Sequence, residues 1–170
     1  MSLKLLIAIL ATAGFAAEFS PEQLEAKFPW DLGAARIDQE VSKYPPEMQE
    51  RYALFLQNCS QCHSTARPLN SRYVSRADWT RYTKRMHLRS KTTPNASLAQ
   101  ADLKEAVEFL IYDSQRRKVE RKAEFDAETA RLEKLFSQVQ IERAKRREMQ
   151  NKAKSKPYND PIRVNPQGGR

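Results

Sequence analysis

The sequence predicts an all-α fold: a small helical domain followed by one long, charged helix. Three observations carry this. Apolar residues recur at helical spacing, as in Met48, Tyr52 and Phe55 or Leu103, Val107 and Leu110. No stretch alternates apolar and polar residues long enough to make a strand. Only 4 of 170 residues are Gly, which argues against a turn-dense β fold and against Gly-rich phosphate loops. With 30% charged residues and a mean hydropathy of −0.76, the chain is too polar for several membrane spans. It is also too polar to form one packed core throughout.

The elements follow in chain order. Residues 1–17 carry one basic residue, Lys4, then the apolar run from Leu5 to Ala13, then the small residues Gly14, Ala16 and Ala17. This is the order of an export signal, too short to span a bilayer, with cleavage expected after Ala16 or Ala17. An uncleaved amino-terminal anchor is the alternative. Residues 18–45 form a helical approach segment. Ser20-Pro21-Glu22-Gln23 is a capping box with Pro at the first helical position. Phe28 to Gly33 breaks that helix, and Ala34 to Lys43 is a second short one. Residues 46–114 are the core domain. A helix is expected from Pro46 to Gln57, and another from Ala77 or Asp78 to Arg89, with Trp79, Tyr82 or Thr83, and Met86 on one face. A third is expected to start at the capping box Ser97-Leu98-Ala99-Gln100. Residues 115–150 read as a long solvated helix with charge pairs at helical spacing: Arg116 with Glu120, Arg121 with Glu124, Lys122 with Asp126, and Glu142 with Arg146. Its one sticky stripe, Leu132, Leu135, Phe136 and Val139, is expected to pack on the core, a partner or a second copy. Residues 151–170 read as a disordered tail.

The net charge of +9 is unevenly spread. Residues 67–91 hold eight basic side chains against Asp78 alone, and residues 115–156 hold fourteen against seven acidic ones. Acidic residues interleave elsewhere and no nucleic-acid motif is present, so nucleic acid is not an expected partner. The basic run 67–91 is instead suited to steering an acidic partner or to neutralising an anionic cofactor.

One motif decides the chemistry. Cys59-Ser60-Gln61-Cys62-His63 is C-x-x-C-H, the attachment sequence of c-type haem. Two thiols three positions apart can each form a thioether to one haem vinyl group, and the adjacent His63 is then held under the iron as an axial ligand. The motif uses every Cys in the chain, which leads us to expect one covalently attached haem c per chain. A thioredoxin-like redox C-x-x-C is the rival, but it wants a βαβ context. A plain local disulfide is the other. For the second axial position Met86 is favoured, 23 residues past His63 and spaced to share a face with Trp79 and Tyr82. The neighbouring His87 and an open site are the alternatives. Met48 and Met149 are read as a core residue and an extension residue. A carbonyl in the Arg67–Pro68 region is expected to fix the His63 imidazole through its other N–H. One or two of Arg67, Arg72, Arg76 and Arg85 are expected to pair with the haem propionates.

With C-S-Q-C-H, the following R-P-L-N, and D-W-T-R-Y-T-K-R-M together, residues 46–114 resemble a small monohaem cytochrome c. They specifically resemble the haem domain of the cytochrome c subunit of green sulfur bacterial photosynthetic reaction centres. The resemblance implies a cytochrome c-like helical haem domain, His63 and Met86 as axial ligands, and an electron-donor role. The expected function is therefore periplasmic electron transfer by Fe(III)/Fe(II) cycling with a redox protein or membrane complex, and not catalysis. A haem-bearing docking subunit of a larger respiratory or photosynthetic complex, gripped through helix 115–150, is the second reading. An open-site haem enzyme or gas sensor is the third.

Overall fold

The computed structural model describes residues 19–154. The expected export signal and residues 155–170 of the expected tail lie outside the described residues. The described chain is all-helical, with no strand. No helix among the described residues is long and apolar enough to cross a membrane.

Helix α1 (Pro21–Glu25) begins at the expected capping box. The Gln23 N–H donates to the Ser20 hydroxyl (3.2 Å), and the Ser20 N–H donates to the Gln23 side-chain oxygen (2.9 Å). The break that follows is a 3-10 turn at Pro29–Asp31. Gly33 then leads into α2 (Ala34–Val41) at φ +85°. The left-handed backbone favours glycine, and a Cβ there would lie 3.1 Å from Leu132 Cδ2, so that side chain would have to give by a few tenths of an ångström. Helix α3 (Pro46–Cys59) starts at Pro46 as expected but runs two residues further, so that it ends on the first cysteine of the motif. A short α4 (Ala66–Leu69) leads to α5 (Arg76–Ser90) and α6 (Gln100–Asp113).

Two expected helix starts shift. Asp78 is not the first residue of α5. It is the third, and it closes a capping box with Ser75, whose hydroxyl accepts from the Asp78 N–H at 3.1 Å. At α6 the expected box at Ser97–Gln100 does not form, and the helix starts at Gln100 with Ala99 in the cap position. The Ser97 backbone is engaged elsewhere: its N–H donates to Gln61 Oε1 (2.9 Å), and its carbonyl accepts from Gln61 Nε2 (3.1 Å).

The main core lies between α3, α5 and α6. Phe55, Trp79, Phe109 and Leu110 are wholly buried. Phe109 stands 5.0 Å from Tyr52 and 5.5 Å from Phe55 between ring centroids, the tilted geometry in which aromatic pairs add to plain area burial. Met48 packs against this cluster, as its sequence position suggested.

The chain beyond α6 is not one uninterrupted helix. A π-helical stretch, Ser114–Glu120, and a turn at Arg121 separate α6 from α7 (Lys122–Lys154). The π-helical stretch belongs to the core. Ser114 is wholly buried and Lys118 is 5% exposed. Arg117 makes a two-pronged ion pair with the buried Asp113 (2.7 Å each) and also donates to the Leu69 carbonyl (2.8 Å). Tyr44 OH donates to the same carboxylate at 3.1 Å.

Helix α7 folds back over the amino-terminal segment. Leu132, Leu135 and Phe136 pack with Ala26 and Leu32, so the chain itself covers much of the sticky stripe. Arg143 donates to the carbonyls of Leu24 (2.5 Å) and Ala26, and Arg36 pairs with Glu128 (3.0 Å). The four charge pairs read from helical spacing all form. Arg121 makes its shorter bond across the fold, to Glu40 on α2 at 2.6 Å, against 3.7 Å to Glu124. Residues 151–154, expected in the tail, are the last turn of α7, where Lys152 pairs with Glu148 at 2.7 Å.

Candidate functional site

The C-x-x-C-H motif sits at the carboxyl end of α3. Cys59 is the last helical residue and is packed against the core, whereas Cys62 is exposed in the turn beyond. Both are free thiols. Burial, and after it the neighbouring Cys62, pushes the Cys59 thiol up to about 12. A thiol held protonated at neutral pH is a poor nucleophile for disulfide exchange, which needs a lowered value. The all-helical surroundings also lack the βαβ unit of a thioredoxin-like site.

His63 is half-buried, and its surroundings fix its tautomer. Nδ1 lies 2.8 Å from the Ser64 carbonyl oxygen. A carbonyl only accepts, so Nδ1 carries the proton and Nε2 carries the lone pair. A metal-binding imidazole needs this arrangement: one nitrogen donates to a carbonyl and the other is free to coordinate. The carbonyl that holds Nδ1 is that of Ser64, whereas the sequence placed it in the Arg67–Pro68 region. That stretch turns into α4 and uses its own carbonyls there, with Ala66 O accepting from the Asn70 N–H (2.8 Å) and Pro68 O from the Ser71 N–H (3.0 Å). Pro68 is a wholly buried packing residue.

Helix α5 supplies the opposite wall. Tyr82 OH is 3.4 Å from His63 Nε2. Tyr73, Trp79 and Tyr82 form a mutually packed trio, with centroids 5.6 to 5.9 Å apart. Trp79 donates through Nε1 to Ser114 Oγ (3.1 Å), so the pocket wall is tied to the π-helical stretch. Met86 lies one turn beyond Tyr82, half-buried, and is not part of the main core cluster. His87 places Nδ1 3.0 Å from the Leu98 carbonyl, toward the loop before α6. Of the expected site residues, Cys59, His63 and Tyr82 are thus brought together by α3 and α5, with Trp79 and Met86 on the same α5 wall.

The arginines divide differently from expectation. Arg67 is committed to Asp31, with bonds of 2.6 and 2.9 Å. Arg76 is committed to Glu108, at 2.5 and 2.8 Å. Arg85 donates to Tyr73 OH (3.3 Å), and Arg72 has no ion pair among the described residues. Sequence reasoning missed Asp31. Burial pushes its carboxyl up, but the Arg67 guanidinium and the N–H groups of Lys27 and Phe28 outweigh this and hold it below the usual carboxylate range. Ser64 Oγ also donates to the Asp31 carbonyl (2.8 Å), and Asn70 to the Leu32 carbonyl (2.8 Å). The amino-terminal 3-10 turn is therefore latched onto the chain just after the motif. Nothing in the local sequence marked Asp31 for this role, because its partner is 36 residues away. Lys118 was missed too. It donates to the Tyr73 carbonyl (3.0 Å) and lies 4.7 Å from the Trp79 ring centre.

The donor set suits haem iron: an imidazole whose Nε2 carries the lone pair and meets Tyr82 OH at a long 3.4 Å, the Met86 thioether on α5, and two thiols at the attachment spacing. Among the described residues no group of three or more His, Cys, Asp or Glu is placed to hold a bare metal ion. Comparison with family models, with curated proteins and with solved structures found no match.

Proposed function

We propose that this chain is an exported monohaem c-type cytochrome that carries electrons in the periplasm. The observation that carries the reading is the C-x-x-C-H motif at the end of α3, joined to an imidazole whose Nδ1 is tied to the Ser64 carbonyl so that Nε2 carries the lone pair. Cys59 and Cys62 would hold the haem through thioethers, and His63 and Met86 would be its axial ligands. When bound, the haem supplies reversible one-electron Fe(III)/Fe(II) chemistry. The protein's part is to hold the ligands and to exclude water. The trio Tyr73, Trp79 and Tyr82 forms an apolar wall beside His63, and Tyr82 adds a hydroxyl next to the imidazole. A thioether as second ligand raises the potential relative to a second imidazole. In this reading His63 is spent as an iron ligand, and His87 is the one other His in the sequence, which favours a carrier over an enzyme.

The test is a reduced-minus-oxidised spectrum of chain matured with the haem-attachment machinery. A c-type spectrum that survives denaturation and acid extraction is expected, together with the long-wavelength Met–iron charge-transfer band. Haem that extracts into organic solvent would overturn the reading.

A further inference from the structure

The electron-carrier reading leaves open where a partner meets the chain, and the charges on α5 answer this. Of the eight cations in residues 67–91, Arg67, Arg76 and Arg81 are ion-paired. Arg72, Lys84, Arg85, Arg89 and Lys91 form no ion pair among the described residues. Elsewhere Arg36, Arg51, Arg117, Arg121 and Arg131 are ion-paired, whereas Lys104, Lys134, Lys145 and Arg147 form no ion pair among the described residues, so what sets the α5 cations apart is their place beside the motif. Of the five unpaired cations in residues 67–91, Lys84, Arg85 and Arg89 lie in the last two turns of α5, and Lys91 is its C-cap residue.

Their placement on the helix is specific. Trp79, Thr83 and Ser90 form the buried face of α5. At 100° per residue Leu88 falls opposite that face, with Lys84 and Lys91 on one side of it and Arg85 on the other. Leu88 is 53% exposed. Arg89 and Arg85 border the side that carries Tyr82 and Met86. Arg85 bonds Tyr73 OH (3.3 Å), and the Tyr73 ring packs on Tyr82 with centroids 5.9 Å apart. Tyr82 in turn touches His63. An apolar side chain ringed by unneutralised cations thus lies on the helix that walls the proposed haem site.

We infer that this outer face of α5 is the docking surface for a redox partner protein with an acidic patch. The inference rests on the electron-carrier reading. An apolar centre with a charged rim is the composition of a transient protein interface, and unpaired cations beside the electron-exit route speed encounter with an acidic surface. A lipid surface fits less well, because a membrane-lying helix needs a free apolar face and α5 has placed its own in the core.

The experiment uses the full haem-loaded chain and an acidic blue copper protein as probe, with electron transfer followed by stopped flow. The bimolecular rate is expected to fall steeply with added salt. The double variant Lys84→Glu/Arg89→Glu should slow it at least about tenfold at low salt and flatten the salt dependence. Leu88→Ser should slow it with the salt dependence kept. The double variant Lys145→Glu/Arg147→Glu makes the same charge change on exposed residues of α7 and should leave the rate near that of the native chain. Equal slowing by both double variants would overturn the inference, since net charge alone would then be acting. Co-sedimentation with phosphatidylglycerol vesicles that is lost in the α5 variant, with no effect on the protein reaction, would overturn it in favour of a membrane. Covalent haem with unchanged rates refutes the docking face alone, whereas absence of covalent haem refutes the carrier reading beneath it.

Discussion

Lys118 is a buried amine that the fold tolerates at a cost, and that cost can be worked out. The side chain is 5% exposed, donates to the Tyr73 carbonyl at 3.0 Å, and faces the Trp79 and Phe125 rings at 4.7 and 5.8 Å. Burial pushes its pKa down from 10.5 to about 7. Asp113 pulls the value up and Arg117 adds to the drop. Below about pH 7 the amine is protonated in both folded and unfolded chains, and the full cost of burying the charge is present. Between about 7 and 10.5 the unfolded chain binds one proton more than the folded chain, so stability rises with pH. From pH 6 to pH 9 this contributes about 3 kcal/mol, at about 1.4 kcal/mol per pH unit over two units. Lys118→Met removes the titrating group. It forfeits a hydrogen bond worth about 1 kcal/mol and a cation–π contact of about 2 kcal/mol. The Tyr73 carbonyl keeps Ser114 Oγ as a donor at 3.3 Å, so no buried acceptor is orphaned. The assay is urea unfolding of the haem-loaded native chain and the Met variant at pH 6, 7.5 and 9. The native-minus-variant difference in unfolding free energy should climb by about 3 kcal/mol across that range. A difference that stays flat would show that Lys118 keeps an ordinary value in the folded chain, and the burial argument would be wrong.

Four further outcomes follow from the same structure. Leu132→Ala should cost about 2–5 kcal/mol in chemical denaturation, because Leu132 is 2% exposed and ties α7 to the amino-terminal segment. Gly33→Ala should lower the melting temperature through its φ of +85° and the 3.1 Å approach to Leu132, and pairing it with Leu132→Ala should recover part of that loss. Arg67→Ala leaves the Asp31 carboxylate without its counter-ion, so the loss should be large at neutral pH. Because the folded Asp31 value is depressed, its stabilisation is present above the unfolded value of about 4 and is lost as pH falls; native and Arg67→Ala chains should therefore converge in acid. Met86→Ala should lower the reduction potential and open the iron to carbon monoxide, with His87→Ala leaving both near native. If the His87 change is the one that matters, the ligand assignment falls.

What could be read from the sequence and what could not separate by range of interaction. The Ser20 capping box, the Pro46 start of α3 and the i, i+4 charge pairs of the π-helical stretch and α7 are local chemistry, and each is found where local reasoning put it. The C-x-x-C-H motif can be read for the same reason: five consecutive residues spell it. The Ser97 box failed because Gln61, 36 residues away, holds that backbone. The helix expected from Ser114 onward is interrupted because Ser114, Arg117 and Lys118 reach back to Trp79, Leu69 and Tyr73, and no window of sequence contains those partners. A chain cut after Ser114 would accordingly lose core groups together with the extension. The sticky stripe on α7 was legible as a surface in need of cover, but its cover, Ala26 and Leu32, is about 100 residues earlier. The Asp31–Arg67 latch is of the same kind.

The central claim concerns two covalent bonds, and intact-mass spectrometry of the mature chain tests it most directly. The account predicts a mass about 616 Da above that of the bare polypeptide, falling back to the apo value when both cysteines are changed to alanine. A native chain that returns only the polypeptide mass after correct maturation would contradict it.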